Sequence, residues 1–155
     1  MTTLTKPIQR MQAREVMTSD IVFIPREMSL KGAAHLLSQS HITGAPVVDS
    51  DGKCIGVISA TDFMARTEKS DWCRTVERSD CAHSAWQVLD GDCSSDSVEH
   101  YMTHTPVTTG ANTTLGELSR LMCELHVHRV IIVDENSRPI GIVSSMDILG
   151  ALAAG

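Results

Sequence analysis

Aromatic side chains are nearly missing from this sequence: phenylalanine, tyrosine and tryptophan make up 3% of its 155 residues. Binding of single-stranded nucleic acid relies on aromatic faces for successive bases, so that class is disfavoured. Positive charge is short as well. Thirteen Lys and Arg face 19 Asp and Glu, a net charge of -6, where a duplex binder needs a basic stripe to release counterions from phosphate. No run approaches the ~20 apolar residues of a membrane span. The opening MTTLTKPIQR has no apolar core of a secretory signal. A cytoplasmic protein that binds neither nucleic acid nor membrane is therefore expected. The five cysteines (Cys54, Cys73, Cys81, Cys93, Cys123) form no C-x-x-C pair, whereas structural zinc wants four ligands at short, paired spacings. They read as reduced thiols. Nucleophile elbow, G-x-x-x-x-G-K and H-E-x-x-H are all lacking.

What is present is a repetition. Residues 17–64 return as 102–149 without a gap, at the constant spacing that separates Met17 from Met102. Met17-Thr18 becomes Met102-Thr103, Leu36 becomes Leu121, and His41 becomes His126. Val48-Asp49 becomes Val133-Asp134, Ile55-Gly56 becomes Ile140-Gly141, and Ser59-x-x-Asp62 becomes Ser144-x-x-Asp147. Matched halves can offer the same groups to a ligand twice, which points towards binding rather than catalysis.

Each copy predicts the order β-α-β-β-α. A β-rich run (Ile21–Ile24; Val107–Thr109) precedes a helix with Ser29 or Thr114 at its N-cap. Leu30, Ala33, Ala34 and Leu37 share one helical face, as do Leu115, Leu118, Met122 and Leu125. Two apolar runs follow in each copy: Ala45–Val48 with Ile55–Ser59, then Val130–Val133 with Ile140–Ser144. Turn-rich links starting at Asp49 and Asp134 suit hairpins. A second helix is expected near Thr61–Arg66 and Met146–Ala151. A three-stranded half cannot bury its sheet alone, so two copies packed about a pseudo-two-fold axis are expected. The division is 1–12 tail, 13–66 first repeat, 67–97 connection and 98–153 second repeat. The connection holds Trp72 and Trp86 and a candidate helix around Ala82–Val88.

The strand–Ser-x-x-Asp–helix junctions are the strongest chemical feature. A helix start presents unpaired N–H groups suited to an anion, and a carboxylate beside it can accept both hydroxyls of a ribose. A capping arrangement of Ser59 with Asp62 explains the same residues; its exact recurrence favours binding. Gly56 and Gly141, inside strands, permit either close packing or close approach of a ligand. Ahead of one strand stand His41-Ile-Thr43-Gly44, ahead of the other His126-Val-His128-Arg129. Arg129 offers a forked cationic donor to phosphate and His128 a second donor, or the two are a solvated basic pair. His41 and His126 are expected to close the preceding helix at its last carbonyls. Equivalent surroundings do not drive Asp62 and Asp147 apart into an acid and a base, so no enzyme, no catalytic residue and no metal ligand is expected.

Together Met17-Thr18, the helix from Ser29, TGAPVVDSDGKCIGVISATDF and HRVIIVDENSRPIGIVSSMDIL resemble tandem cystathionine-β-synthase (CBS) domains, a Bateman module. The resemblance implies a mixed α/β fold of two β-α-β-β-α repeats. It also implies clefts between the repeats that take AMP, ADP, ATP or S-adenosylmethionine, with no cofactor required and a homodimer as the common assembly. It gives Asp62 and Asp147 the ribose, and Ser59 and Ser144 the hydroxyl position three residues earlier. Thr61 becomes the polar neighbour of Asp62. Thr43-Gly44-Ala45 and His128-Arg129-Val130 line adenine through their backbone and reach the phosphates. By the two-fold arrangement, His128-Arg129 faces the phosphates of a nucleotide held on Asp62. Val22 and Val107 fall where aliphatic side chains line adenine. Ile131 departs from a proline that Pro46 keeps, and Met146 replaces a polar neighbour of Asp147. Thr43-Gly44 offers no cation, which puts polyphosphate at Asp147 in question.

The function expected is a stand-alone regulatory module that signals to a separate, unidentified protein. The alternatives are an interaction module without a ligand, or a thiol- or metal-responsive switch built on Cys73, Cys81, Cys93 and His83.

Overall fold

A computed structural model describes residues 7–69 and 97–154. Trp72, Trp86, Cys73, Cys81, His83, Cys93 and the helix expected near Ala82–Val88 lie outside the described residues. In chain order the elements are α1 (Ala13–Val16), β1 (Ile24–Pro25), α2 (Leu30–Gln39), β2 (Gly44–Val48), β3 (Cys54–Ser59) and α3 (Ala60–Lys69). They continue with β4 (Thr108–Gly110), α4 (Leu115–Leu125), β5 (Arg129–Val133), β6 (Pro139–Ser144) and α5 (Ser145–Ala154). The mixed β-α-β-β-α order thus occurs twice. The described residues fall into two compact units, one within Val22–Thr105 and the other drawn from Met1–Ile21 and Pro106–Gly155.

In the unit holding Asp62, β1 runs parallel to β2 and β2 antiparallel to β3. The crossover from β1 to β2 is α2. Its N-cap Ser29 is extended, and its hydroxyl oxygen accepts from the Gly32 amide at 3.1 Å, satisfying a donor that no helical carbonyl reaches. Leu30, Ala33, Ala34 and Leu37 form the buried stripe, as the spacing predicted. They close over Ile24, Val47, Ile58, Phe63, Val98 and Met102. Strand β2 is buried from Gly44 to Val47, as a central strand covered on both faces requires. The first strand is shorter than predicted: pairing starts only at Ile24, opposite Val47. Ile21 and Val22 fall in different compact units, so the run ahead of Ile24 is not a continuous strand.

The unit holding Asp147 repeats this plan with β4, β5 and β6. Helix α4 opens with a full capping box: the Thr114 hydroxyl oxygen accepts from the Glu117 amide at 3.3 Å, and the Glu117 carboxylate accepts from the Thr114 amide at 2.9 Å. These bonds from the Thr114 amide and hydroxyl hold the Glu117 carboxyl below its ordinary range. Leu115, Leu118 and Met122 are buried. Leu125, expected on the same stripe, is 51% exposed. The helix ends there, His126 turns left-handed, and Val127 packs against the core instead.

Both hairpins are tied by one carboxylate oxygen. Asp49 Oδ1 accepts from the Asp51 and Lys53 amides, both at 2.9 Å, and Asp134 Oδ1 accepts from those of Asn136 and Arg138 at 2.8 and 3.0 Å. Each unit also receives the Met-Thr pair that opens the other sequence repeat. Thr103 exchanges backbone bonds with Val57 at 3.0 and 2.9 Å, and Thr18 with Ile142 at 2.9 and 3.0 Å. Gly56 and Gly141 exist for this contact. A Cβ on Gly56 would stand 2.6 Å from Met102 Sδ and 2.7 Å from the Thr103 carbonyl oxygen, and one on Gly141 2.8 Å from Met17 Cγ. Of the two roles open to these glycines, packing is the one observed.

Candidate functional site

The two acids sit at the starts of α3 and α5, where β3 and β6 turn into a helix. Asp62 Oδ2 accepts from the Ser59 amide at 2.7 Å and from the Ser59 hydroxyl at 3.0 Å. Asp147 Oδ2 accepts from the Ser144 amide at 2.6 Å and the Ser144 hydroxyl at 2.8 Å, while the Asp147 amide returns a bond to Ser144 Oγ at 3.2 Å. The capping bonds therefore run both ways between Ser144 and Asp147, and from Ser59 to the carboxylate at Asp62. These bonds engage Oδ2 of each acid and fix the plane of its carboxylate. Both acids are half-buried.

Strand pairing assembles the remaining residues of each half. The Gly44–Ser59 pair sets Thr43-Gly44-Ala45 beside the Asp62 junction, and the Thr43 carbonyl accepts from the Ala60 amide at 2.9 Å. The Arg129–Ser144 pair does the same for His128-Arg129-Val130, with the His128 carbonyl accepting from Ser145 at 2.9 Å. Thr43, Thr61, His128 and Arg129 are exposed. Ala45 and Val130 are 1% and 0% exposed, so their side chains are core and only their backbone can meet a ligand. Val22 and Val107 are half-buried, and the Val107 carbonyl accepts from Ile131 at 2.9 Å. The Thr61 hydroxyl lies 2.7 Å from Ser59 Oγ. The Ser59 proton is directed at Asp62, so Thr61 is the donor of that pair and its oxygen ends the chain as an exposed acceptor. Met146, at the matching place, is 70% exposed.

One residue of the site has no role predicted for it by the sequence. Met17-Thr18 and Met102-Thr103 were visible only as a recurring pair, yet the Thr103 hydroxyl reaches Asp62 Oδ1 at 3.4 Å across 41 positions of sequence. The recurrence was a sufficient signal that the pair mattered, but nothing in it said to which acid the threonine belongs. His41 and His126 do close their helices, by a different device from the one expected: both stand at φ 53°, and the backbone supplies the closing bonds.

Among the described residues no group of three or more His, Cys, Asp and Glu is placed to hold a metal. Cys123 is exposed, and burial pushes the half-buried Cys54 thiol up from its usual value. No described helix is long and apolar enough to cross a membrane.

The CBS domain model matches residues 13–68 and 98–154, and the chain belongs to that family. Chloroplastic CBS domain-containing protein CBSX1 of Arabidopsis thaliana is 27% identical over 140 residues, covering 85% of this chain and 59% of its own length. The chain spans between about a fifth and three fifths of the length of the first relatives it matches. Arabidopsis CBSX2 in complex with AMP superposes with a TM-score of 0.71 at 23% identity, over 92% of this chain and 96% of the other. The CBS domain pair of protein MJ0100 in complex with 5′-methylthioadenosine and S-adenosyl-L-methionine gives 0.72 at 21% identity, over 96% and 98%. At these identities the structural likeness establishes the fold.

Proposed function

We propose that this chain is a regulatory CBS pair that binds an adenosine-containing ligand, with Asp62 and Asp147 each receiving a ribose. The observation that carries the reading is the duplicated carboxylate whose Oδ2 is held by a serine amide and hydroxyl at the start of each second helix. A cap needs no second copy of the same acid, whereas a sugar diol needs an acceptor fixed in plane. Relatives of the same fold were crystallised with AMP and with S-adenosyl-L-methionine, which supports an adenosine. Ser59, Ser144 and Thr61 supply hydroxyls at the helix starts, His128 and Arg129 the phosphate donors, Thr43, Gly44, Ala45 and Val130 backbone groups, and Val22 and Val107 aliphatic walls for adenine. The output passes to a separate protein and requires unequal affinity for two conformations. A homodimer fits α5, whose Met146, Leu149 and Leu152 are 70%, 54% and 60% exposed.

Thermal unfolding with AMP, ATP or S-adenosylmethionine tests this directly. A ligand at about 100 times its Kd stabilises by roughly 2.7 kcal/mol. The gain should shrink in Asp62→Asn and in Asp147→Asn and vanish in the double variant. If none of the three ligands raises the midpoint, the proposal is wrong.

A further inference from the structure

The two acids are chemically alike in sequence but not in their surroundings. Asp147 Oδ1 accepts no hydrogen bond among the described residues; all three bonds of that junction involve Oδ2, Ser144 Oγ or a backbone amide. Asp62 Oδ1 faces the Thr103 hydroxyl at 3.4 Å. Thr103 is held there by two backbone bonds to Val57, so the hydroxyl is delivered by a fixed ladder rather than by a free side chain. Thr18 is anchored to Ile142 by the same pair of bonds, yet its hydroxyl makes no such contact with Asp147 among the described residues. An exposed threonine hydroxyl donating to a carboxylate oxygen draws off part of the charge that a sugar hydroxyl would use. It also occupies one of the lone-pair directions.

Taking the adenosine reading as given, we propose that Thr103 tunes one site alone: its hydroxyl weakens ribose binding on Asp62 and leaves ribose binding on Asp147 untouched. The difference then comes from a residue at the opening of the second repeat, while the acids themselves stay the same. The contact is long for an O–H···O bond, so the effect is about two- to fivefold in Kd.

Titration calorimetry with AMP reads this. In an Asp147→Ala background only the Asp62 site remains. There Thr103→Val should tighten AMP about two- to fivefold, and Thr103→Ser, which keeps the hydroxyl, should not. In an Asp62→Ala background the matching change Thr18→Val should leave AMP affinity as it was. With both acids intact, Thr103→Val should tighten one of the two dissociation constants about two- to fivefold and leave the other as it was, a measurement that stands if a single-acid variant fails to fold. Unaltered or weaker AMP binding after Thr103→Val overturns the inference and leaves the adenosine reading standing. Absence of heat with AMP, ATP and S-adenosylmethionine alike overturns both.

Discussion

His41 and His126 both stand at φ 53°, a left-handed conformation that costs an L-residue roughly 1–2 kcal/mol. In each case the next residue closes the helix: the Ile42 amide donates to the Leu37 carbonyl and the Val127 amide to that of Met122, both at 3.1 Å. Glycine is the usual occupant because it lacks the offending Cβ. Replacing His126 by glycine should therefore stabilise the protein by about 0.5–1 kcal/mol, the relief of strain less the extra freedom glycine gains when unfolded. Urea unfolding measures it. A lower midpoint would show that the imidazole contributes more than the backbone loses. The same residue explains what sequence could not reveal. Ser29 and Thr114 were readable as caps because a hydroxyl ahead of an apolar run has a mechanical purpose. A histidine announces no positive φ, so the helix end was legible but the left-handed turn that makes it, and the exposure of Leu125, were not.

At the scale of elements, apolar spacing made α2 and both hairpins readable, since one face of each is committed to a core. Strand β1 was not, because its two residues owe their conformation to β2 rather than to their own propensity. The sequence also shows α3 and α5 as equivalents, though they differ in kind. The former ends in Arg66-Thr-Glu-Lys69 and the latter in Gly150-Ala-Leu-Ala-Ala154. A helix apolar on all sides is ordinarily covered, and α5 leaves Met146, Leu149 and Leu152 largely in solvent. Burying such side chains is worth about 1.5–3 kcal/mol each, which favours a second copy as cover. Sedimentation should give twice the chain mass at tens of micromolar, as an order-of-magnitude working range for such association. Leu149→Lys with Leu152→Lys should return the monomer without disturbing α4 or β5. A monomer in the unsubstituted protein would remove the dimer from the proposal.

Over the whole molecule, the repeat told which residues correspond but not which copy they serve. Met17-Thr18 opens the first repeat and completes the sheet of the second; Met102-Thr103 opens the second and completes that of the first. Similarity between copies carries no information about such an exchange, since either partner would satisfy the pattern. Its energetic trace is specific. Gly141→Ala drives a methyl into Met17, and Gly56→Ala one into Met102 and the Thr103 carbonyl; overpacking of this sort costs about 1–3 kcal/mol. Met17→Ala alone should also destabilise, through lost packing against the core around Leu118 and Val143. The double variant Met17→Ala with Gly141→Ala should be less unstable than the two losses added, because truncating the methionine makes room for the new methyl. Met17→Ala with Gly56→Ala should instead add, since those residues lie in different units. Double-mutant cycles in urea measure both couplings. Additivity at Met17–Gly141, or a coupling at Met17–Gly56 of equal size, would mean that the opening of the first repeat does not complete the second.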